Sequence, residues 1–351
     1  MSALPVNALQ GAIQKLAFRE PMTAEDAQAA FDIVMRGEAT AVQIAALLSA
    51  LRATGESPEV VAGVVRALRT AMVSLKADDP DDLVDTCGTG GGAVSTFNIS
   101  TGAAIVAAGA GVRIAKHGNR SFTSRCGSAD VLEALGIPIE VPVPVMEAAL
   151  REAGIVFMFA PLMHPAMRHV GPVRRELAIP TVMNIVGPLA NPARAGRQVV
   201  GVADLERAPV LAGALAALGA KHALVVHGEP GLDEVSPLGP THVIEVIEGT
   251  TKRWAIHPEE HGFKNIKRED LAGSDPAENA RIIGEILNGG GAAGARAAVI
   301  LNAAAAVYVS GRVKSYGEGV AAATKSIDSG EANSVLERLK LAYSKPLKAR
   351  A

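Results

Sequence analysis

Aromatic residues are scarce in this chain, at 3% of 351 residues with a single Trp. Apolar residues nevertheless reach 49%. The core must therefore be built from Ala, Val, Leu and Ile, which suits close packing of helices on a sheet. Cysteine is scarcer still: Cys87 and Cys126 stand far apart with no CxxC spacing. Neither a zinc site nor a disulfide framework is indicated. The chain also lacks an excess of either charge, with a net charge of −2. That argues against nucleic acid or an anionic membrane as a partner. Its longest apolar runs, 102–112 and 303–309, are too short to span a bilayer. No charged and then apolar leader opens the sequence. These absences predict a soluble, cytoplasmic enzyme or binding protein.

What is present falls into two patterns. Up to residue 76 the chain reads as a small helical domain. Thr23 precedes a helix over 24–35, Thr40 one over 41–53, and Ser57-Pro58 opens one over 59–75. A further helix is expected over 6–17. After the polar break at Asp78-Asp79-Pro80-Asp81-Asp82 strands alternate with helices. Strands are expected at 84–86, 112–115, 155–159, 199–203 and 222–226, with a hairpin over 241–247 and 251–256. Helices are expected to about 110, then over 129–135, 145–153, 164–177 and 206–218, with mostly helix after 275. The fold class is α/β: a large domain over 77–351 with a mostly parallel central sheet, beside the small helical domain. In such sheets ligands bind at the carboxyl ends of strands.

Four stretches carry chemistry. The first is Val84-Asp85-Thr86-Cys87-Gly88-Thr89-Gly90-Gly91-Gly92, followed by Ser95, Thr96, Asn98, Ser100 and Thr101. A strand, a glycine loop and a helix N-terminus together make a cradle for a phosphorylated anion. A dinucleotide fingerprint would need an acidic residue about 20 positions on. No Asp or Glu occurs between Ala93 and Ala129. The Gly-Lys-Ser/Thr of a Walker loop is absent too. The second stretch runs from Lys116-His117-Gly118-Asn119-Arg120 to Ser128. It is basic and hydroxyl-rich, and fits either a second phosphate or a solvated loop in which Ser128 caps the following helix. The third is Gly231-Leu232-Asp233-Glu234, whose two carboxylates beside a phosphate could hold magnesium. The fourth places Arg168, Arg174 and Arg175 on one expected helix, where a guanidinium could meet a carboxylate. No Gly-x-Ser-x-Gly elbow is present.

Taken together, six segments resemble one family. They are Cys87-Gly88-Thr89-Gly90-Gly91 with Asn98-Ile99-Ser100-Thr101; Lys116-His117-Gly118-Asn119-Arg120; Gly127-Ser128-Ala129-Asp130; His164-Pro165-Ala166-Met167-Arg168; Asn184 through Pro192; and Gly228 through Glu234. In this order they resemble the anthranilate phosphoribosyltransferases, over nearly the whole chain. The resemblance implies transfer of the 5-phosphoribosyl group of 5-phosphoribosyl 1-diphosphate (PRPP) to anthranilate, with Mg²⁺ and release of diphosphate. This is the second step of tryptophan biosynthesis. It also implies a homodimer formed through the small domains, each completed by a segment around 164–180. Carried over by position, Gly88, Gly91, Asn98, Ser100, Thr101, Lys116, Asn119, Ser124 and Ser128 would contact PRPP. Gly88, His117, Asn119 and Arg174 would line the anthranilate channel, with Arg174 facing the carboxylate. Ser100, Asp233 and Glu234 would hold magnesium. No covalent ribosyl-enzyme is expected. Gly92 stands where the family commonly has Asp, so it is not counted with the metal residues. A pyrimidine nucleoside phosphorylase shares the architecture, but the 116–119 run and Ser128-Ala129-Asp130 favour the anthranilate family. A nucleic-acid-binding relative would be expected to show a basic groove, which the charge balance opposes.

Overall fold

The computed structural model describes residues 6–121 and 125–344. It opens with α1 (Ala8–Ala17), α2 (Ala24–Met35), α3 (Ala41–Thr54) and α4 (Pro58–Ala71). Their starts are set by local chemistry. Thr23 and Thr40 accept the backbone N–H of Asp26 and Gln43, whose side chains return the bond to the cap N–H. Ser57 caps α4 with proline in its first turn. The pattern predicts α4 through residue 75, but the helix stops at Ala71, where Met72 turns extended. The backbone then crosses to other elements: Val73 N–H donates to Met163 O at 2.8 Å and Leu75 N–H to Pro192 O at 3.1 Å.

Strand–helix alternation follows. The elements are β1 (Val84–Gly88), α5 (Ile99–Gly109), β2 (Ile114–Gly118), α6 (Ser128–Ala134), α7 (Val143–Ala153) and β3 (Ile155–Phe159). Next come α8 (Ala160–Met163), α9 (Gly171–Leu177), α10 (Met183–Val186), β4 (Arg197–Gly201), α11 (Ala208–Ala217) and β5 (His222–Gly228). The hairpin β6 (Thr241–Ile247) and β7 (Thr250–Ile256) precedes α12 (Pro276–Leu287), α13 (Ala293–Val309), α14 (Tyr316–Asp328) and α15 (Glu331–Ser344). The sheet order is β3-β2-β1-β4-β5-β6-β7. The first five strands are parallel; β6 and β7 run antiparallel. The chain leaves β1 toward β2 and β3 on one side and returns at β4 on the other. The β1/β4 junction is thus the switch point at which such sheets bind ligands.

Period-two alternation divides the core between two faces. On β5, Leu224 and Val226 belong to the core on the α13 side, whereas Ala223 and Val225 belong to the core shared by α11 and the helical unit. The second core joins α1–α4 to Val170, Val173 and residues 182–190. No helix among the described residues is long and apolar enough to cross a membrane.

Three local expectations need correction. First, 164–177 is not one helix. A 3-10 turn, Pro165–His169, separates α8 from α9. Pro165 and Pro172 each lack an N–H and crowd the preceding turn, so each restarts the chain. Arg168 consequently lies off the helix that carries Arg174 and Arg175. Second, β2 extends to Gly118, so Lys116 and His117 are strand residues. Third, Ser128 is the first helical residue of α6, not its cap. Gly127 holds that place, and its N–H is met by the Asp130 carboxylate at 2.8 Å.

Candidate active site

The glycine loop leaves β1 at the switch point and wraps round the 231–234 segment. Gly90 and Gly91 take positive φ, +71° and +80°, which glycine tolerates without strain. Gly90 N–H donates to Asp233 Oδ2 at 2.8 Å, Thr89 N–H to Gly201 O and Ala93 N–H to Gly231 O, each at 2.9 Å. A side chain at Gly88 would strike the Asp233 carboxylate, and one at Gly201 the Asp233 backbone. Glycines on two adjacent strands thus let the acidic loop sit directly on the sheet edge. Among the described residues the N–H groups of Gly91 and Gly92 have no protein acceptor. They are donors available to an anion.

Beneath the loop lies a charged cluster. Lys116 is buried, and its ammonium donates to Thr86 O and, at 3.3 Å, to Ser100 Oγ. Ser100 N–H donates to Glu234 Oε1 at 3.2 Å. Burial pushes Asp233 above the usual carboxylate range. Burial first, and then the Asp233 charge, hold Glu234 up at about 8. Burial also lowers Lys116, against the pull of Asp85, Cys87 and Glu234. Two half-buried carboxylates that resist ionisation are what a divalent cation would relieve. Their oxygens, with the Ser100 hydroxyl nearby, therefore fit magnesium.

On the face of β2 opposite the Lys116 side chain stand two imidazoles. His117 and His164 have ring centroids 4.9 Å apart, and the buried Nε2 atom of each lacks a partner among the described residues. Burial drops His117 to about 3, and the neighbouring His164 ring and Lys116 ammonium push it the same way. Burial takes His164 to about 4. Both rings are neutral at pH 7 and present an unused polar atom. Sequence reasoning placed His117 here but gave His164 no role, because only the fold brings β2 against the start of the 3-10 turn. Behind them Asp85 accepts His117 N–H at 3.1 Å and Asn191 Nδ2 at 2.7 Å. Asn191 also donates to Ala115 O at 2.8 Å, fixing β1, β2 and the 187–192 segment together.

The remaining expected residues divide. Thr101 is buried in the first turn of α5 with its hydroxyl unpartnered, close behind Ser100. Asn119 and Ser128 meet through Ser128 Oγ, which donates to Asn119 O at 3.2 Å. Asn98 is already engaged. Its Oδ1 accepts from Cys126 Sγ and Asn279, and its Nδ2 donates to Cys126 O. It therefore anchors the second basic stretch and α12 to the loop. Arg174 lies on α9, which packs against α3. It is half-buried and forms no ion pair among the described residues; burial lowers it. Ser124 lies outside the described residues.

Residues 80–333 match the a/b domain of a glycosyl transferase family and residues 10–72 the helical bundle domain of the same family. The anthranilate phosphoribosyltransferase of Rubrobacter xylanophilus is 49% identical over 94% of this chain and 96% of its own length. The chain belongs to the anthranilate phosphoribosyltransferase family. The family's enzyme from Anaeromyxobacter sp. strain K is 47% identical over 96% of this chain and 99% of its own. Among solved structures, the anthranilate phosphoribosyltransferase of Thermus thermophilus superposes with a TM-score of 0.90 at 44% identity, covering 95% of this chain and 99% of that one. The Saccharomyces cerevisiae enzyme in complex with PRPP and Mg gives 0.87 at 30% identity, covering 96% and 98%.

Proposed function

We propose that the β1 rim is where this chain carries out its family's reaction: transfer of the 5-phosphoribosyl group of PRPP to the amine of anthranilate, releasing diphosphate. The observation that carries this placement is the meeting of three groups of residues: the free Gly91 and Gly92 amides, the buried Lys116 and the Asp233–Glu234 pair. The amides and the α5 N-terminus are available to diphosphate oxygens, and Lys116 offsets charge building on the leaving group. Asp233, Glu234 and the Ser100 hydroxyl would hold magnesium, which would supply charge neutralisation of the diphosphate.

At ribose C1 the bond to the diphosphate oxygen breaks, the bond to the anthranilate nitrogen forms, and the surplus amine proton passes to the departing diphosphate or to water. The aryl amine is neutral at pH 7, so its lone pair needs no prior deprotonation. The neutral His117 and His164 rings can accept a hydrogen bond from it, and Arg174 pairs with the carboxylate. Gly88, Gly91, Thr101, Asn119, Ser124 and Ser128 complete the assignment. Asn98 acts by holding the loop that carries them. Orientation then supplies much of the rate, and no covalent ribosyl-enzyme forms.

The chain divides at residues 76 and 77, a boundary supported by the extended crossing after Met72. A homodimer through the helical unit is supported by the exposure there of Phe18, Val42 and Ile179. We place the enzyme in the cytoplasm.

The test is loss of anthranilate fluorescence in the presence of PRPP and Mg²⁺. Replacing Arg174→Ala removes a charge-assisted pair and is expected to raise the anthranilate KM about 10- to 100-fold. The PRPP KM should stay nearly constant; equal effects on both would remove Arg174 from the anthranilate side. The double variant Asp233→Ala, Glu234→Ala should lose magnesium-dependent turnover while keeping its fold by circular dichroism. Full activity at ordinary magnesium levels would overturn the metal assignment.

A further inference from the structure

A second concentration of positive charge lies at the opposite end of the sheet. Arg66 and Arg69 stand one turn apart on α4 and share a face. Arg194 occupies the tight turn just before β4, in a left-handed conformation at φ +52°. With Gln28, Thr70 and Leu218 these arginines line a crevice of about 350 Å³. Its walls come from both parts of the molecule: α2 and α4 of the helical unit, and the β4 approach with the end of α11. The glycine loop and the 231–234 segment follow the carboxyl ends of β1 and β5. Arg194 and Leu218 precede the amino ends of β4 and β5. A five-residue strand spans about 16 Å, so the crevice is separate from the β1 rim.

No carboxylate within the described residues pairs with any of the three guanidinium groups. What they have are carbonyls. Arg69 Nε and Nη2 both donate to Leu189 O, at 3.2 and 2.8 Å, and Arg66 Nη2 donates to Ala217 O at 3.2 Å. The latter bond caps the carboxyl end of α11 and gains from its dipole. Neither acceptor carries a formal charge, and several N–H groups are left over. Burial lowers Arg69 to about 10, and the neighbouring charges of Arg194 and Arg66 push in the same direction. Arg66 and Arg69 are half-buried and Arg194 stands exposed at the mouth, and like charges gathered in this way are relieved when something negative completes them.

We propose that this crevice is a second anion site, which takes the phosphate group of a small molecule and lies apart from the diphosphate cradle. Phosphate fits better than a carboxylate because three planar forks need more acceptor oxygens and more charge than one carboxylate supplies. The Thr70 hydroxyl and Gln28 amide add neutral partners at the wall. A ligand held by α4 and by the β4 approach together would tie the helical unit to the sheet domain.

Equilibrium dialysis of radiolabelled inorganic phosphate against the full-length protein tests this, with saturating PRPP and Mg²⁺ present and anthranilate left out. One phosphate per chain is expected to remain bound. The double variant Arg66→Gln, Arg194→Gly should weaken that binding at least about tenfold, with thermal midpoint and anthranilate turnover unchanged. Glycine suits the left-handed φ at 194, so the backbone there is not strained by the change. The single variant Arg194→Lys keeps the charge and should lose less. Complete displacement of phosphate by PRPP would overturn the proposal. So would phosphate binding in the double variant as tight as in the parent. Failure of the β1-rim reading would look different: the Asp233→Ala, Glu234→Ala variant would turn over normally at ordinary magnesium levels, while the Arg66→Gln, Arg194→Gly variant still lost its phosphate.

Discussion

His117 and His164 show how single side chains set the conditions under which the site exists. Both are buried neutral, at about 3 and about 4 against an ordinary 6.5. Between pH 6.5 and about 4 the unfolded chain takes up protons that the folded chain refuses. Their contribution to stability is therefore full above pH 6.5 and is lost as pH falls through that window. For His164 the loss amounts to about 3 kcal/mol once the window has been crossed. Replacing His164→Gln removes one such group and should flatten the fall of Tm between pH 6.5 and 4, leaving the value at pH 8 within a few degrees of the parent. Thermal scans across that range decide it; parallel curves for parent and variant would show that the ring carries no such linkage. The sequence marked His117 because it stands in a basic run after a strand. It could not show the partner ring, since nothing local ties β2 to the start of the 164–169 turn.

At the level of elements, the glycine loop was legible and its neighbours less so. A short apolar strand, clustered glycines and hydroxyl residues before an apolar run leave little choice of local structure. Helices with Thr or Ser caps were equally clear, and α2 runs over the expected residues. The failures have physical causes. β2 is buried along nearly its whole length, so Lys116 and His117 look like loop residues to any reading that expects polar groups outside. The 164–177 stretch has helical spacing, yet two prolines break it. Within the loop the glycines are not equivalent. A Cβ on Gly88 would overlap Asp233, whereas one on Gly92 would lie 3.1 Å from Gly231 O and 3.3 Å from Asp233 Oδ1. Gly88→Ala should displace the carboxylate and lower kcat/KM for PRPP about 100-fold, since small misplacements cost that much. Gly92→Ala needs only a small shift and should stay within about threefold. Steady-state kinetics on both variants separates the two positions. Equal losses would mean that the loop tolerates no side chain anywhere, for reasons unrelated to Asp233.

For the molecule as a whole, the two cores explain why the helical unit cannot be treated as an appendage. Its helices share a core with one face of the sheet and with residues 170–190. That continuity was only partly visible beforehand. The helical run before residue 76 was plain from caps, but the packing of residues 170–190 against it left no periodic mark in the sequence. The same unit exposes large apolar side chains: Phe18 is 76% and Val42 79% accessible. Such residues are ordinary singly, yet paired on neighbouring elements they suit a surface that a second copy covers. Because α3, which carries Val42, packs on α9, which carries Arg174, the surface and the site are mechanically linked. On the proposed homodimer, the double variant Phe18→Asp, Val42→Asp should sediment as a monomer and the parent as a dimer. It should also show a raised anthranilate KM with little change for PRPP, because α9 loses the support of a braced α3 while the β1 rim is untouched. Sedimentation velocity and the two KM values read this together. A variant that stays dimeric places the interface elsewhere, and a monomer with parental kinetics shows that α9 is held by its own subunit alone.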